Sequence, residues 1–164
     1  MKNIAFILML FIGYFSARGE KMLPLGTKAP DFTLLSHSGE NVSLSSFRGK
    51  NYVVLIFYPG DQTPVCTQQL CEIRDDYSQF KERGAVVFGV NPGDQNSHQN
   101  FVEKNSYQFR LLVDIKGSVA KTYKSKGLFM NKRTVYVINT EGVIVFSERG
   151  KPLVESILKS IPKS

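Results

Sequence analysis

A buried strand followed by an amphipathic helix is the feature that most restricts how this chain can fold. The continuous apolar run Val53–Tyr58 is typical of a buried strand. Beyond it, apolar residues recur at steps of three and four, which predicts a helix that continues until Gly84 stops it. The positions that carry this spacing are Cys66, Leu70, Ile73, Tyr77 and Phe80.

The junction between strand and helix carries a cysteine in a position that favours reactivity. Thr63 and Pro64 predict the helix start, because threonine caps a helix through its hydroxyl and proline at the first position has no N–H to leave unpaired. Cys66 then lies in the first turn, where unpaired N–H groups and the helix dipole favour a thiolate. Pro59 and Gly60 allow a sharp turn whose amides can face a ligand. We therefore predict that Cys66 is a nucleophile.

The second cysteine, Cys71, lies five residues further along the same predicted helix. On an ideal helix the two Cα atoms are about 8–9 Å apart, whereas a disulfide needs them within about 7 Å. Either the bond is absent, or the first turns unwind to make it. A nucleophile that is oxidised to sulfenic acid, and then captured by a second thiol after local unfolding, fits this spacing.

The same residues resemble the active-site motif of a known family, the peroxiredoxins. Pro59, Thr63 and Cys66 match its P-x-x-x-T-x-x-C pattern. The spacing of Cys66 and Cys71 resembles the Q-type branch of the alkyl hydroperoxide reductase/thiol-specific antioxidant family, whose members are also called bacterioferritin comigratory proteins. Arg133 precedes an apolar strand in the manner of the family's R-[ST]-x-F segment. The similarity spans residues 22–161.

The resemblance implies a fold, a reaction and a role for each of these residues. The fold is α/β and thioredoxin-like, with a mixed central sheet flanked by helices and with peroxiredoxin insertions. Cys66 would attack a peroxide, Cys71 would resolve the sulfenic acid as a disulfide, and Arg133 would stabilise the thiolate. Thr63 would contact the bound peroxide, and Pro59 would shape and shield the pocket. The resemblance also implies a peroxide substrate and a thioredoxin-like dithiol reductant as partners. It implies that the protein uses no cofactor and is a monomer.

The N-terminus is typical of a secretory signal peptide. A short basic start precedes an apolar run over residues 4–15, and Ala17-Arg18-Gly19 offers a small-residue cleavage site. Twelve residues span about 18 Å as a helix, less than the hydrocarbon core of a bilayer. We therefore expect residues 1–19 to be a leader, residues 20–164 to form one domain, and the protein to be exported to the periplasm or secreted. An uncleaved leader that anchors the protein to a membrane is the alternative.

Charge and the histidines restrict the functional classes further. The formal net charge is +7, with basic residues spaced along the chain and without interleaved aromatics, which argues against nucleic-acid binding. His37 and His98 are predicted to be surface or packing residues, and no cysteine–histidine spacing indicates a metal site. Two other functions remain open. One is a thiol–disulfide oxidoreductase of an exported compartment, although such enzymes normally carry C-x-x-C, and the other is a secreted binding domain with a structural disulfide.

The remaining elements alternate between strands and helices, which predicts a mixed α/β sandwich. A helix is expected around Ser97–Lys104 with Asn96 or Ser97 as its cap, and a hairpin with its turn at Asn139–Gly142. The other expected elements are a hairpin within Pro30–Leu44, strands at Ala85–Val90 and Phe109–Val113, and helices at Ser118–Tyr123 and Pro152–Ile161.

Overall fold

The computed structural model describes residues 21–163, so the predicted leader, residues 1–19, lies outside the described residues. The seven strands are β1 Thr33–Ser36, β2 Asn41–Ser43, β3 Tyr52–Phe57, β4 Ala85–Asn91, β5 Arg110–Val113, β6 Thr134–Ile138 and β7 Ile144–Arg149. The α-helices are α1 Pro64–Asp75, α2 Tyr77–Glu82, α3 Gln95–Asn105, α4 Ser118–Thr122 and α5 Val154–Lys159. Apart from the helix that follows the junction with β3, each element predicted within residues 21–163 is present within a few residues of its expected bounds.

All seven strands form one mixed sheet in the order β2-β1-β5-β4-β3-β6-β7. The three inner strands β3, β4 and β5 run parallel, whereas β6 pairs antiparallel with β3 and β1 pairs antiparallel with β5. Parallel strands need long crossover connections, which α1, α2 and α3 provide. The predicted mixed α/β architecture is therefore confirmed.

The central strand β3 divides the core into two layers, because successive side chains of a strand point to opposite faces. Val54, Ile56 and Tyr58 lie in the cluster that includes α1, α2 and α5. Val53, Leu55 and Phe57 lie in the other cluster, with Tyr123 and Tyr136. All six of these β3-side residues are 1% exposed or less, so the strand is buried on both faces, as its unbroken apolar run predicts. The parallel strands end at the edge of the sheet where α1 begins.

The single helix predicted from Cys66 to Gly84 is wrong, because the segment is divided at Asp76. The backbone N–H of Asp76 bonds to the Glu72 carbonyl at 3.2 Å, closing α1, and α2 begins at the next residue. Asp76 is the N-cap residue of α2, and aspartate favours caps and turns over helix interiors because of its short polar side chain. Its carboxylate also accepts a 2.7 Å bond from the side chain of Gln79. Gly84, with φ +65°, follows α2 as a stop, as the sequence predicts.

The predicted cap of α3 is also wrong. The helix begins at Gln95, and its cap is Asp94, whose carboxylate accepts a 2.8 Å bond from the N–H of Ser97. Asp, Asn and Ser are all good caps, so the choice among neighbouring candidates depends on where the preceding loop delivers the chain. Among the described residues, no helix is long and apolar enough to cross a membrane.

Candidate active site

Cys66 lies in the first turn of α1, at the end of the sheet where β3 delivers the chain. Pro64 occupies the first helical turn and Thr63 is the N-cap residue, as predicted. The hydroxyl of Thr63 does not cap the helix, however, because it donates instead to the carbonyl of Gly60 at 3.4 Å. Thr63 is exposed, while the Cys66 side chain is fully buried beneath this turn. The Thr63 hydroxyl therefore lies next to the first turn of α1 but makes no capping hydrogen bond to it.

Arg133 reaches the sulfur of Cys66 from the opposite side of the site. It precedes β6, whose first residue pairs with the last residue of β3, so the two strands bring Arg133 beside α1. One guanidinium nitrogen, Nη2, donates to Sγ of Cys66 at 3.1 Å. A guanidinium has donors only and stays charged in proteins. The sulfur of Cys66 therefore accepts a hydrogen bond from a group that carries a permanent positive charge.

The second nitrogen of the guanidinium is held by Gln69, a residue that the sequence reasoning did not identify. Nη1 of Arg133 donates to Oε1 of Gln69 at 2.6 Å. Gln69 is 2% exposed, and its Nε2 has no hydrogen-bond partner among the described residues. A guanidinium can only donate hydrogen bonds, so the Gln69 side chain must present its oxygen to Arg133. Rotating the Gln69 amide to give Nε2 a partner would therefore break the bond to Arg133. A buried unpaired donor is costly, and the bond from Arg133 therefore fixes the amide in this orientation, with the guanidinium held between Gln69 and Cys66.

Cys71 is half-buried on α1 and has no disulfide to Cys66, since both cysteines are free. Its sulfur lies 3.9 Å from Oδ1 of Asn105 and 3.9 Å from the hydroxyl of Tyr107. Burial is the main cause that raises the pKa of Tyr107, and the hydrogen bond and electrostatic interaction with Cys71 raise it further. The Tyr107 hydroxyl therefore remains protonated. With α1 helical through both cysteines, the structure agrees with the prediction that a Cys66–Cys71 bond requires the helix to unwind.

A buried carboxylate fixes the loop that carries Cys66. Both oxygens of Asp61 accept hydrogen bonds, and the donors come from three different parts of the chain. They are the Tyr58 hydroxyl at 2.8 Å, Asn91 Nδ2 at 2.8 Å, Ser97 Oγ at 2.6 Å and His98 Nδ1 at 2.7 Å. Burial alone would raise the pKa of Asp61, but the bonds from His98 and Ser97 hold that pKa below its usual value. The loop is thus tied to the end of β4 and to α3.

His98 completes this network from inside the core. His98 was predicted to be either a surface residue or a packing residue. Its side chain is 0% exposed, so the packing alternative is confirmed and the surface alternative is wrong. Its Nδ1 faces Asp61 and its Nε2 faces the Leu112 carbonyl at 3.1 Å. The two ring nitrogens therefore join the Asp61 carboxylate to the backbone of β5. Burial also raises the pKa of Tyr58, as do the negative charges of Asp61 and Cys66, so its hydroxyl stays a donor.

The structure brings together most of the predicted site residues. Thr63, Cys66 and Arg133 meet at one end of the sheet, and the half-buried Pro59 begins their loop. Cys71 lies further along α1, beside Tyr107. The positioning residues Gln69, Asp61 and His98 were missed, although Gln69 was recognisable as a polar residue three positions after Cys66, on the same helical face. No group of three or more metal-binding side chains occurs within residues 21–163.

Comparison with known proteins identifies the family. The family model described as "AhpC/TSA family" matches residues 25–147, which is most of the chain. The chain belongs to the AhpC/TSA family. It is a thiol-dependent peroxidase of the peroxiredoxin type, as the resemblance predicts.

Relatives with similar sequences include peroxiredoxins of the predicted branch. The peroxiredoxin Bcp of Bacillus subtilis is 39% identical over 131 residues, which cover 75% of this chain and 83% of that protein. The chloroplastic peroxiredoxin Q of Suaeda salsa is 41% identical over 132 residues, which cover 77% of this chain and 61% of that longer protein. The prediction of a Q-type, bacterioferritin comigratory relative is therefore confirmed.

Solved structures confirm the predicted thioredoxin-like peroxiredoxin fold. The peroxidoxin BcpB of Mycobacterium tuberculosis has a TM-score of 0.78 at 28% identity, covering 83% of this chain and 94% of that one. The peroxiredoxin Q of Xanthomonas campestris has a TM-score of 0.73 at 23% identity, covering 79% and 88%. At this lower identity the second comparison supports the fold alone.

Proposed function

We propose that this peroxiredoxin reduces hydrogen peroxide and organic hydroperoxides through a Cys66 sulfenic acid and a transient Cys66–Cys71 disulfide. The observation that carries the proposal is the 3.1 Å contact between the Arg133 guanidinium and the buried Cys66 sulfur. A permanent cation against a cysteine in the first turn of a helix is the arrangement that nucleophilic thiols need.

In the first step, the Cys66 thiolate attacks the distal oxygen of the peroxide. The sulfur–oxygen bond forms as the oxygen–oxygen bond breaks, and the leaving alkoxide or hydroxide takes up a proton. The Arg133 guanidinium and the amides of the first turn of α1 stabilise the negative charge as it moves to the leaving oxygen. The Thr63 hydroxyl donates to Gly60 rather than capping the helix, and its oxygen accepts a hydrogen bond from the O–H of the bound peroxide.

In the second step, the Cys71 thiolate attacks the sulfur of the Cys66 sulfenic acid. A disulfide forms and water leaves once hydroxide is protonated. Since α1 is helical from Pro64 to Asp75, its first turns must open for the two sulfurs to meet. Opening removes Cys66 from Arg133, so the oxidised state gives up the contact that activated the reduced state.

The disulfide is then reduced by an external dithiol, which we propose is a thioredoxin-like protein. Cys71 is half-buried whereas Cys66 is fully buried, so Cys71 is the more accessible sulfur to such a partner. We also retain export as a proposal, based on the apolar run at residues 4–15, and a monomer as the working state. N-terminal sequencing of the mature protein from its own cell, after fractionation, tests the export proposal.

A thiol–disulfide oxidoreductase is the alternative function, and the burial of Cys66 argues against it. A protein disulfide has to bring a polypeptide segment to this fully buried sulfur, which requires a large opening around it, whereas a peroxide is a small molecule and needs only a small one. The two functions also differ in their oxidant, because only the peroxidase converts one equivalent of peroxide into one disulfide.

The experiment treats fully reduced protein with one equivalent of hydrogen peroxide and maps the products by mass spectrometry of peptides. The proposal expects a Cys66–Cys71 linked peptide in the wild type, a trapped sulfenic acid on Cys66 in Cys71→Ser, and no product in Cys66→Ser. Adding thioredoxin with its reductase and NADPH should restore both thiols. A disulfide that forms with oxidised protein substrates but not with peroxide would favour the oxidoreductase instead.

A further inference from the structure

The excess positive charge of the described chain is confined to one segment. Residues 115–140 contain five lysines, one arginine and no aspartate or glutamate. The rest of residues 21–163 contains thirteen basic and thirteen acidic residues, so its formal charge is zero. The basic residues are spaced along the sequence, yet their excess over acidic residues marks one stretch. This stretch begins after β5, includes α4 and continues through β6.

The same segment exposes apolar side chains at a projecting turn. Leu128 is 88% exposed, Phe129 is 90% exposed and Met130 is 58% exposed, and all three lie in a loop closed by a 2.8 Å bond from Gly127 N–H to the Met130 carbonyl. Ile115, 63% exposed, lines the same surface cleft. We call these four residues the apolar tip. Side chains this exposed have few protein neighbours, so the tip projects into solvent.

Lysines surround the base of the apolar tip. Lys116 and Lys126 line its cleft, and the Lys126 ammonium bonds to the Lys116 carbonyl at 2.9 Å, which keeps this charge beside the cleft. Lys121 on α4 and Lys132 after the loop are also exposed. Exposed apolar side chains with lysines beside them are a pattern by which proteins enter the interface of an anionic bilayer.

We propose that the apolar tip and its lysines bind the surface of an anionic lipid bilayer, with Leu128, Phe129 and Met130 inserted among the lipid headgroups. A second copy of this chain fits the surface less well, because a twofold contact would bring the same lysines of both copies together. A flat protein partner is also a poorer match, since the exposed apolar area of this surface consists of one turn and the neighbouring Ile115 rather than a protein-sized interface.

Binding in this way would orient the active site. The loop that carries the tip leads directly into Arg133, and Asn131 of that loop bonds to the Val90 carbonyl at the end of β4 at 3.2 Å. The tip therefore lies at the end of the sheet where α1 and Cys66 begin. If the protein is the proposed peroxidase, on which this step rests, the orientation would present Cys66 to hydroperoxides of membrane lipids.

The chain contains no tryptophan, so a single substitution gives a local reporter of insertion. We would prepare full-length Phe129→Trp and, as the matched control, full-length Leu153→Trp, whose position is an exposed apolar residue outside the segment. Each is mixed with vesicles of phosphatidylcholine, with or without phosphatidylglycerol, and with lipids brominated on their acyl chains. Reaction of each reduced variant with hydrogen peroxide in solution reports the peroxidase separately, so failure of one proposal is distinguishable from failure of the other.

The proposal expects the emission of Phe129→Trp to shift to shorter wavelength, and to be quenched by brominated lipid, only when phosphatidylglycerol is present. Leu153→Trp should change little, even if residues 4–15 bind lipid. No shift at position 129 would overturn the proposal, and so would an equal shift at both positions. An emission shift of Phe129→Trp that depends on protein concentration in the absence of lipid would overturn the proposal in favour of self-association. An emission shift caused by an acidic protein but not by vesicles would overturn it in favour of a protein partner.

The lysines have their own test in the Phe129→Trp background. Lys116→Gln with Lys121→Gln should weaken partition onto phosphatidylglycerol vesicles about 25-fold, since each lysine near an anionic surface contributes about fivefold. The control pair Lys50→Gln with Lys81→Gln removes two exposed lysines from outside the segment and should change partition by no more than about twofold. Equal losses for the two pairs would show that only net charge matters and would overturn the role of this surface.

Discussion

Arg133 donates a hydrogen bond from Nη2 to the sulfur of Cys66 at 3.1 Å, although the two residues are 67 positions apart in the sequence. The contact depends on the antiparallel pairing of β3 with β6, which places the residue before β6 beside the residues that follow β3. It also depends on Gln69, which holds the other guanidinium nitrogen. Three segments therefore have to be in place before Cys66 is activated.

Arg133→Lys tests whether the fork of the guanidinium matters beyond its charge. Lysine keeps one positive charge but cannot hold Gln69 and Cys66 together as the planar fork does. We expect the second-order rate of the reduced protein with hydrogen peroxide to fall about 100-fold, the usual effect of losing one transition-state donor. Stopped-flow kinetics measures this rate. Arg110→Lys, at an exposed ion pair with Glu40, is the control and should react at the wild-type rate; an unchanged rate in Arg133→Lys would contradict the role of the fork.

Thr63→Val separates a catalytic hydroxyl from a structural cap. The hydroxyl makes no cap bond, so we expect the free energy of unfolding to change by less than about 0.5 kcal/mol. The rate with peroxide should nevertheless fall about tenfold, because a hydrogen bond to a reacting oxygen is lost. Thr63→Ser restores the hydroxyl and should restore the rate. A stability loss of about 1 kcal/mol, the usual effect of removing a cap, with an unchanged rate would instead identify Thr63 as a cap alone.

The sequence predicted the architecture and the position of Cys66 in the first turn of α1 because both depend on local patterns. The apolar run of β3 and the Thr63-Pro64 helix start place Cys66 without any knowledge of the tertiary structure. The break at Asp76 was missed because the helical spacing of apolar residues continues across it and hides the preference of aspartate for caps. Asp61 and His98 were missed for a different reason: their pairing joins positions 37 residues apart, and only the parallel packing of β3 and β4 brings them together.

Asp61→Asn tests the buried pair that fixes the Cys66 loop. The pKa of Asp61 is lower in the folded protein than in the unfolded chain, so at acid pH the unfolded chain binds more protons than the folded protein does. The interactions of the Asp61 carboxylate therefore stabilise the fold fully above about pH 4, the ordinary pKa of an aspartate. The stabilisation is lost as the pH falls through the folded-state value. We expect Asp61→Asn to lose about 3 kcal/mol of unfolding free energy at neutral pH, the cost of breaking a buried pair.

Urea unfolding at a series of pH values measures the difference between wild type and Asp61→Asn. The difference should be constant at neutral pH and should shrink below about pH 4, as Asp61 becomes protonated in the wild type. Asp75→Asn removes a surface pair with Arg74 and serves as the control, with an expected loss of less than about 1 kcal/mol. A deficit in Asp61→Asn that stays the same at every pH would show that lost packing, rather than the charge of the pair, explains the effect.

The opening of α1 should be visible by hydrogen exchange. In the reduced protein, the amides of residues 67–71 are bonded within the helix and should be protected. After one equivalent of peroxide, formation of the Cys66–Cys71 disulfide should remove this protection while β4 keeps its own. Cys71→Ser, treated in the same way, should stop at the sulfenic acid and remain protected. Equal protection in the reduced and oxidised wild type would contradict an intramolecular disulfide at these positions.

The most direct measurement of the central claim is the second-order rate at which the reduced protein loses thiols to hydrogen peroxide, compared with free cysteine at the same pH. If Arg133 and the first turn of α1 activate Cys66, the wild type and Cys71→Ser should react at least about 1,000-fold faster than free cysteine, since transition-state stabilisation of this kind contributes on that order. Cys66→Ser should be no faster than free cysteine. A wild-type rate equal to that of free cysteine would contradict the assignment of Cys66 as a peroxidatic thiol.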